Sequence, residues 1–186
     1  MTYKKNKQYR LRGFDYAEAG EYFITICVKD RKKYLGKIMN EEITLSPIGK
    51  IVDKVWNEIP NKFENVKLDA YQIMPDHFHG IVILKEAKTK KQLTNQTTQF
   101  KSGIKNNPME LKRITLGRII RWFKGRVKFE AGKLNPAFRW QSRFYDRVIR
   151  DDKEFYFVRE YIINNPQNWN KGILENYFVD IEEYNK

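Results

Sequence analysis

The chain has 186 residues, enough for one domain with a sizeable core, and carries 12 Phe, 11 Tyr and 4 Trp to fill it. Its formal net charge is +13, from 36 Lys plus Arg against 23 Asp plus Glu, and a surplus of that size points to a polyanionic partner, nucleic acid before an anionic membrane surface. The single cysteine, Cys27, excludes an internal disulfide and a cysteine-based zinc site, and no stretch approaches the roughly 18 apolar residues that cross a bilayer.

Residues 1–13 read as a basic arm with no apolar run behind it, so no secretory signal is expected, and the expected setting is the cytoplasm, at the nucleoid. Glu21 to Val28 is rich in β-branched and aromatic residues and reads as a central strand. Tyr34 to Met39 and Glu42 to Leu45, joined around Asn40-Glu41, read as a short hairpin. Ser46-Pro47 then opens a helix, with Ser46 as its N-cap and Pro47 at the first helical position. Ile48, Ile51, Val52, Val55 and Ile59 keep helical spacing along it, and Pro60 is expected to stop it. Val66 to Met74 is a further strand, which Pro75-Asp76 turns into the next. The order so far is that of an α+β fold with an antiparallel sheet.

The strand after that turn holds the only two histidines of the chain, in Met74-Pro75-Asp76-His77-Phe78-His79-Gly80. Side chains alternate along a strand, so His77 and His79 face one side and Phe78 the other. Two imidazoles on one face supply half of a divalent-metal site.

From Lys85 to about Lys112, Lys, Thr, Gln and Asn dominate, which reads as a mobile loop inside a single domain spanning 1–186. A helix resumes near Thr115, with Leu116, Ile119, Ile120, Phe123 and Val127 as its buried stripe. Arg118, Arg121, Lys124 and Lys128 lie elsewhere on it beside Trp122, a mixture that suits phosphates and a stacked base. Phe138 to Ile149 reads as the last strand, and its Arg143 and Arg147 join the candidate DNA contacts. Asp151-Asp152 put negative charge where the dipole of a final helix favours it. That helix is expected to run to about Asn164–Asn165, ahead of Pro166, and the tail to Lys186 has enough apolar residues to pack back on the body. On the final helix Tyr161 and Asn165 are four apart, hence one turn from each other. An amide oxygen can be a third hard ligand for Mg²⁺ or Mn²⁺, and a phenol beside the same ion could attack a phosphate.

Four segments in this order, Gly20 to Cys27, Met74 to Gly80, Trp140-Gln141 to Phe144-Tyr145-Asp146, and Arg159 to Pro166, resemble the REP-associated tyrosine transposases. These belong to the single-tyrosine branch of the HUH nucleases, named for the pattern His-hydrophobic-His. The likeness runs from about Tyr9 to Trp169 and leaves the 85–112 loop and the tail uncovered. It implies a ferredoxin-like core, a metal bound at His77 and His79 with Asn165 as the helical third ligand, and Tyr161 as nucleophile. It also implies a substrate of single-stranded DNA beside hairpins, cut through a 5′-phosphotyrosine link that frees a 3′-hydroxyl. Arg147 stands where many relatives carry a histidine after Tyr-Asp, which bears on DNA contacts and not on the metal.

Two other readings compete. A domesticated relative could grip structured single strands without cutting them, and charge and Trp122 serve that equally well. A hydrolase of the histidine-triad kind needs a third histidine at position 81, which is Ile81. Oligomeric state, monomer or homodimer, is open at this point.

Overall fold

The computed structural model describes residues 13–86 and 114–169. The basic arm, nearly all of the 85–112 loop and the tail after Trp169 lie outside the described residues.

Strand β1 (Gly20–Cys27) is followed by a hairpin, β2 (Gly36–Met39) and β3 (Glu42–Leu45). Asn40 and Glu41 join its strands with φ of 51° and 64°, the positive values that a two-residue hairpin turn of the right twist requires. Helix α1 (Pro47–Asn57) is capped as expected, the Ser46 hydroxyl accepting from the Gly49 N–H. Pro60 does not end the helical path. It opens a separate short helix α2 (Ile59–Lys62), since a first-turn position has no use for the N–H that proline lacks. Strands β4 (Val66–Ile73) and β5 (His77–Leu84) form an antiparallel pair across the Pro75-Asp76 turn, with a bulge in β4 between Leu68 and Tyr71. Helix α3 (Leu116–Leu134) starts at Thr115, whose hydroxyl accepts from the Arg118 N–H.

The last strand is shorter than its sequence implies. Within 138–149 only β6 (Tyr145–Ile149) pairs with β1, and residues 138–144 join the sheet through a single bridge between Val28 and Trp140. Arg139 and Gln141 bond instead to Lys29 and to Cys27, the last residue of β1, so this segment wraps the strand end. Helix α4 (Asp152–Ile163) begins at Asp151, whose carboxylate accepts from the Glu154 N–H. Asn165 is not on α4: the helix breaks at Asn164, and Asn165 opens the short helix α5 (Asn165–Asn168) with Pro166 in its first turn.

The four-stranded sheet runs β4-β5-β1-β6, and all its pairs are antiparallel. With α1 after β1 and α3 after β5, this is the split βαβ arrangement of the ferredoxin-like α+β fold. One face of the sheet carries Tyr22, Ile24, Ile26, Phe78 and Val82, buried under Val52, Val55 and Trp56 of α1 and Ile120, Phe123 and Val127 of α3. Gly80 lets this layer close: a Cβ there would lie 2.7 Å from the Trp56 ring. The other face is covered by α4, with Val158, Tyr161 and Ile162 packed on Phe23, Ile81 and Ile149. Among the described residues no helix is long and apolar enough to cross a membrane.

Candidate active site

Strand alternation sends His77 and His79 to the α4 face, while Phe78 between them enters the core on the other side. In the β1–β5 register, His79 lies opposite Thr25 and His77 opposite Cys27. Both imidazoles are 2% exposed, and their Nε2 atoms stand 2.9 Å apart.

Each ring is held by its other nitrogen. The Asp76 carboxylate accepts from His77 Nδ1 at 2.6 Å, and the Arg31 guanidinium grips its second oxygen at 3.1 Å. A neutral His77 that donates from Nδ1 has a bare lone pair on Nε2. The Thr25 hydroxyl lies 2.8 Å from His79 Nδ1 and can fix that ring in the same sense. Burial pushes the pKa of both imidazoles down, well down for His79, where the neighbouring His77 and Arg31 add to it. For His77 the Asp76 carboxylate works in the opposite direction without reversing the shift. Neutral imidazoles with converging lone pairs are what a metal ligand pair requires.

The final helices cross this pair. Tyr161 is buried, its ring edge on Phe23 and its Oη 3.5 Å from His79 Nε2. Trp169 stacks on the His77 ring at 5.8 Å and 28°. Asn165 lies midway between them in the chain, 1% exposed, and neither its Oδ1 nor its Nδ2 has a hydrogen-bond partner among the described residues. An unpartnered buried amide carries a desolvation cost that a bound ligand would offset. The donor set fits a small divalent ion: two nitrogens at right angles on an ion with bonds of about 2.1 Å lie about 3 Å apart. Among the described residues there is no group of three or more His, Cys, Asp or Glu side chains that could hold a metal ion.

The expected DNA contacts are not brought together. Helix α3 lies on the opposite face of the sheet from the histidines. Arg118, Arg121 and Lys128 are exposed on it, whereas Trp122 is half-buried with its ring edge on Phe63. Lys124 donates to the carbonyls of Gln141 and Ser142 at 2.6 and 3.0 Å, and burial lowers its pKa. Arg147 is engaged by Glu154 of α4, while Arg143 is exposed at the rim of a groove beside Thr25. The sequence reading missed Thr25, Arg31, Phe23 and Trp169. Thr25 was findable, two residues before Cys27 on a strand that had to pair with the histidines; Trp169 left no local signal.

No family model matches the chain. An uncharacterized protein from Haemophilus influenzae is 37% identical over 184 residues, spanning 94% of this chain and 98% of that protein. A second Haemophilus influenzae protein, named as a REP-associated tyrosine transposase, is 30% identical over 155 residues, spanning 82% of this chain and 73% of its own length. This chain belongs to the REP-associated tyrosine transposases. Among solved structures, a REP-associated tyrosine transposase bound to a REP hairpin superposes on this transposase with a TM-score of 0.58 at 19% identity, over 87% of this chain and 74% of that one. That likeness extends the family's agreement to the fold.

Proposed function

We propose that this transposase is a single domain that cuts and rejoins single-stranded DNA beside hairpins, with Tyr161 as nucleophile and Mg²⁺ or Mn²⁺ held by His77, His79 and Asn165. The observation that carries the reading is the short path from Tyr161 Oη to His79 Nε2 to His77 Nε2, 3.5 and 2.9 Å. The hairpin in the solved relative supports the substrate class, and the +13 charge supports affinity for DNA. A bound cation would polarise the scissile phosphate and neutralise its charge.

The chain's own groups do the rest. Asp76 and Thr25 hold the imidazoles in orientation, and the Phe23 ring fixes the aim of the Tyr161 phenol. The phenol loses its proton as its oxygen bonds to phosphorus. The bond from phosphorus to the 3′ oxygen breaks, that oxygen takes up a proton, and a 5′-phosphotyrosine and a free 3′-hydroxyl result. A 3′-hydroxyl attacking the phosphotyrosine reverses the exchange, so the strand is rejoined with no external energy. Every residue in the set comes from one chain, so one copy suffices for the first cut. Arg118, Arg121 and Lys128, in the other layer, would hold phosphates away from the cut strand.

Incubating the protein with hairpin-bearing single-stranded DNA and Mn²⁺ is expected to give a covalent adduct stable to denaturing electrophoresis, lost in Tyr161→Phe. An adduct that persists in Tyr161→Phe refutes the nucleophile. Tight hairpin binding with no adduct from the unaltered protein, with or without metal, would leave a DNA-gripping fold only.

A further inference from the structure

Beside the histidine pair the surface opens into a groove of about 360 Å³ that the reaction above does not use. Thr25 and Cys27 of β1 line it, and Thr25 is the residue that touches His79 Nδ1. The groove therefore begins one side chain away from the proposed metal ligands. Phe144 and Tyr145, both half-buried aromatics, form a wall, and Gln141 and Arg143 stand exposed at the rim. Among the described residues no carboxylate lines it.

The segment that carries the rim is held in place. The Gln141 N–H donates to the Cys27 carbonyl at 2.9 Å, and the Lys124 ammonium ties down the carbonyls of Gln141 and Ser142. Residues 138–144 thus leave the sheet to build a wall fixed from both the strand end and α3. A few hundred Å³ accommodates one small-molecule-sized unit, not a duplex. Aromatic walls suit the π-face of an unpaired base. The two rim groups are those that read a purine edge: guanidinium pairs with guanine O6 and N7, and a side-chain amide with adenine N6 and N7.

From these features we infer that the groove lined by Thr25, Gln141, Arg143, Phe144 and Tyr145 is a one-nucleotide subsite that selects an unpaired purine next to the cleaved phosphate. This rests on the proposed strand-cutting function and assigns the substrate position that the groove reads. The subsite makes the choice of cut depend on a base as well as on the hairpin.

The test uses the full-length Tyr161→Phe protein, so that binding is read without cleavage. A hairpin oligonucleotide with unpaired flanks carries 2-aminopurine at one flanking position at a time. Fluorescence quenching on binding is expected at one position and not at the others. An abasic site or a pyrimidine there is expected to weaken binding roughly tenfold. Gln141→Ala and Arg143→Ala, both at exposed positions, should erase that purine preference, so that a purine and an abasic site at this position bind each variant equally. Quenching that is equal at all positions, or an Arg143→Ala loss that is the same for every base, overturns the subsite and leaves the proposed function standing. Absence of any hairpin binding overturns both.

Discussion

Asp76→Asn tests the proposed metal-ligand geometry at one atom. Asp76 is 5% exposed, and its carboxylate accepts a hydrogen bond from His77 Nδ1 at 2.6 Å, which leaves Nε2 bare toward His79. An asparagine has nearly the same shape but can turn an N–H toward Nδ1. That favours the tautomer with the proton on Nε2, where the partner nitrogen stands 2.9 Å away. It also removes the charge that Arg31 grips. Loss of a carboxylate behind a ligating histidine typically costs 10- to 100-fold in metal affinity, so a weakening of about that size is expected. Titration of Mn²⁺ by electron paramagnetic resonance measures it directly and needs no DNA. Circular dichroism of the variant should match the unaltered protein, because the change adds no volume. Unchanged Mn²⁺ affinity in a folded Asp76→Asn protein would refute the orienting role of Asp76 and with it the account of why the two lone pairs converge.

Three further outcomes follow from the packing and the buried imidazoles. Gly80→Ala puts a methyl group 2.7 Å from Trp56, and overpacking of this kind should lower stability by about 1–3 kcal/mol in urea denaturation; an unchanged midpoint would mean that the layer is looser than it looks. Because burial depresses both histidine pKa values, the unfolded chain takes up protons below about pH 6.5 while the folded chain does not. Stability is therefore fully present above that pH and falls as pH drops, by up to about 1.4 kcal/mol per histidine per pH unit, until the folded imidazoles titrate; denaturation at pH 7.5 and 5.5 should show the drop, and greater stability at 5.5 would contradict it. Ser46→Ala removes the hydroxyl that accepts from Gly49 and should cost about 1 kcal/mol by the same assay, a loss that Ser46→Thr largely avoids.

The parts of this molecule that are written locally were readable from sequence. Ser46 was read as a cap, and the helix starts read near Thr115 and at Asp151-Asp152 stand where the structure puts caps that act within three residues. The histidine strand was legible because alternation is a property of the strand alone. Readings that needed long-range information failed or fell short. The segment from Phe138 to Phe144 has strand-like composition, yet its bonding partners, Cys27 to Lys29, lie at and just past the end of β1, which no local pattern reveals. Asn165 reads as one turn beyond Tyr161 on a continuous helix, but Pro166 forces a new helix to begin there. The basic face of α3 was assigned by charge, whereas its placement on the opposite side of the sheet depends on the chain's connectivity. Thr25, 54 residues from His79 in the chain, became visible as its partner only through the strand register.

Strand β5 serves two layers at once: Phe78 and Val82 sit in the large cluster beneath α1 and α3, and His77 and His79 look out the other way. The imidazoles thus sit on a strand that is backed by the larger apolar cluster, whereas Tyr161 rides on a helix docked against a far smaller one. Amide hydrogen exchange should divide along that line, with the β5 amides exchanging only when the whole domain comes apart and the α4 amides exchanging sooner. Mild heating or low denaturant would then unseat the phenol while the pair of nitrogens stays in register, and under the proposed function such a protein forms no covalent adduct.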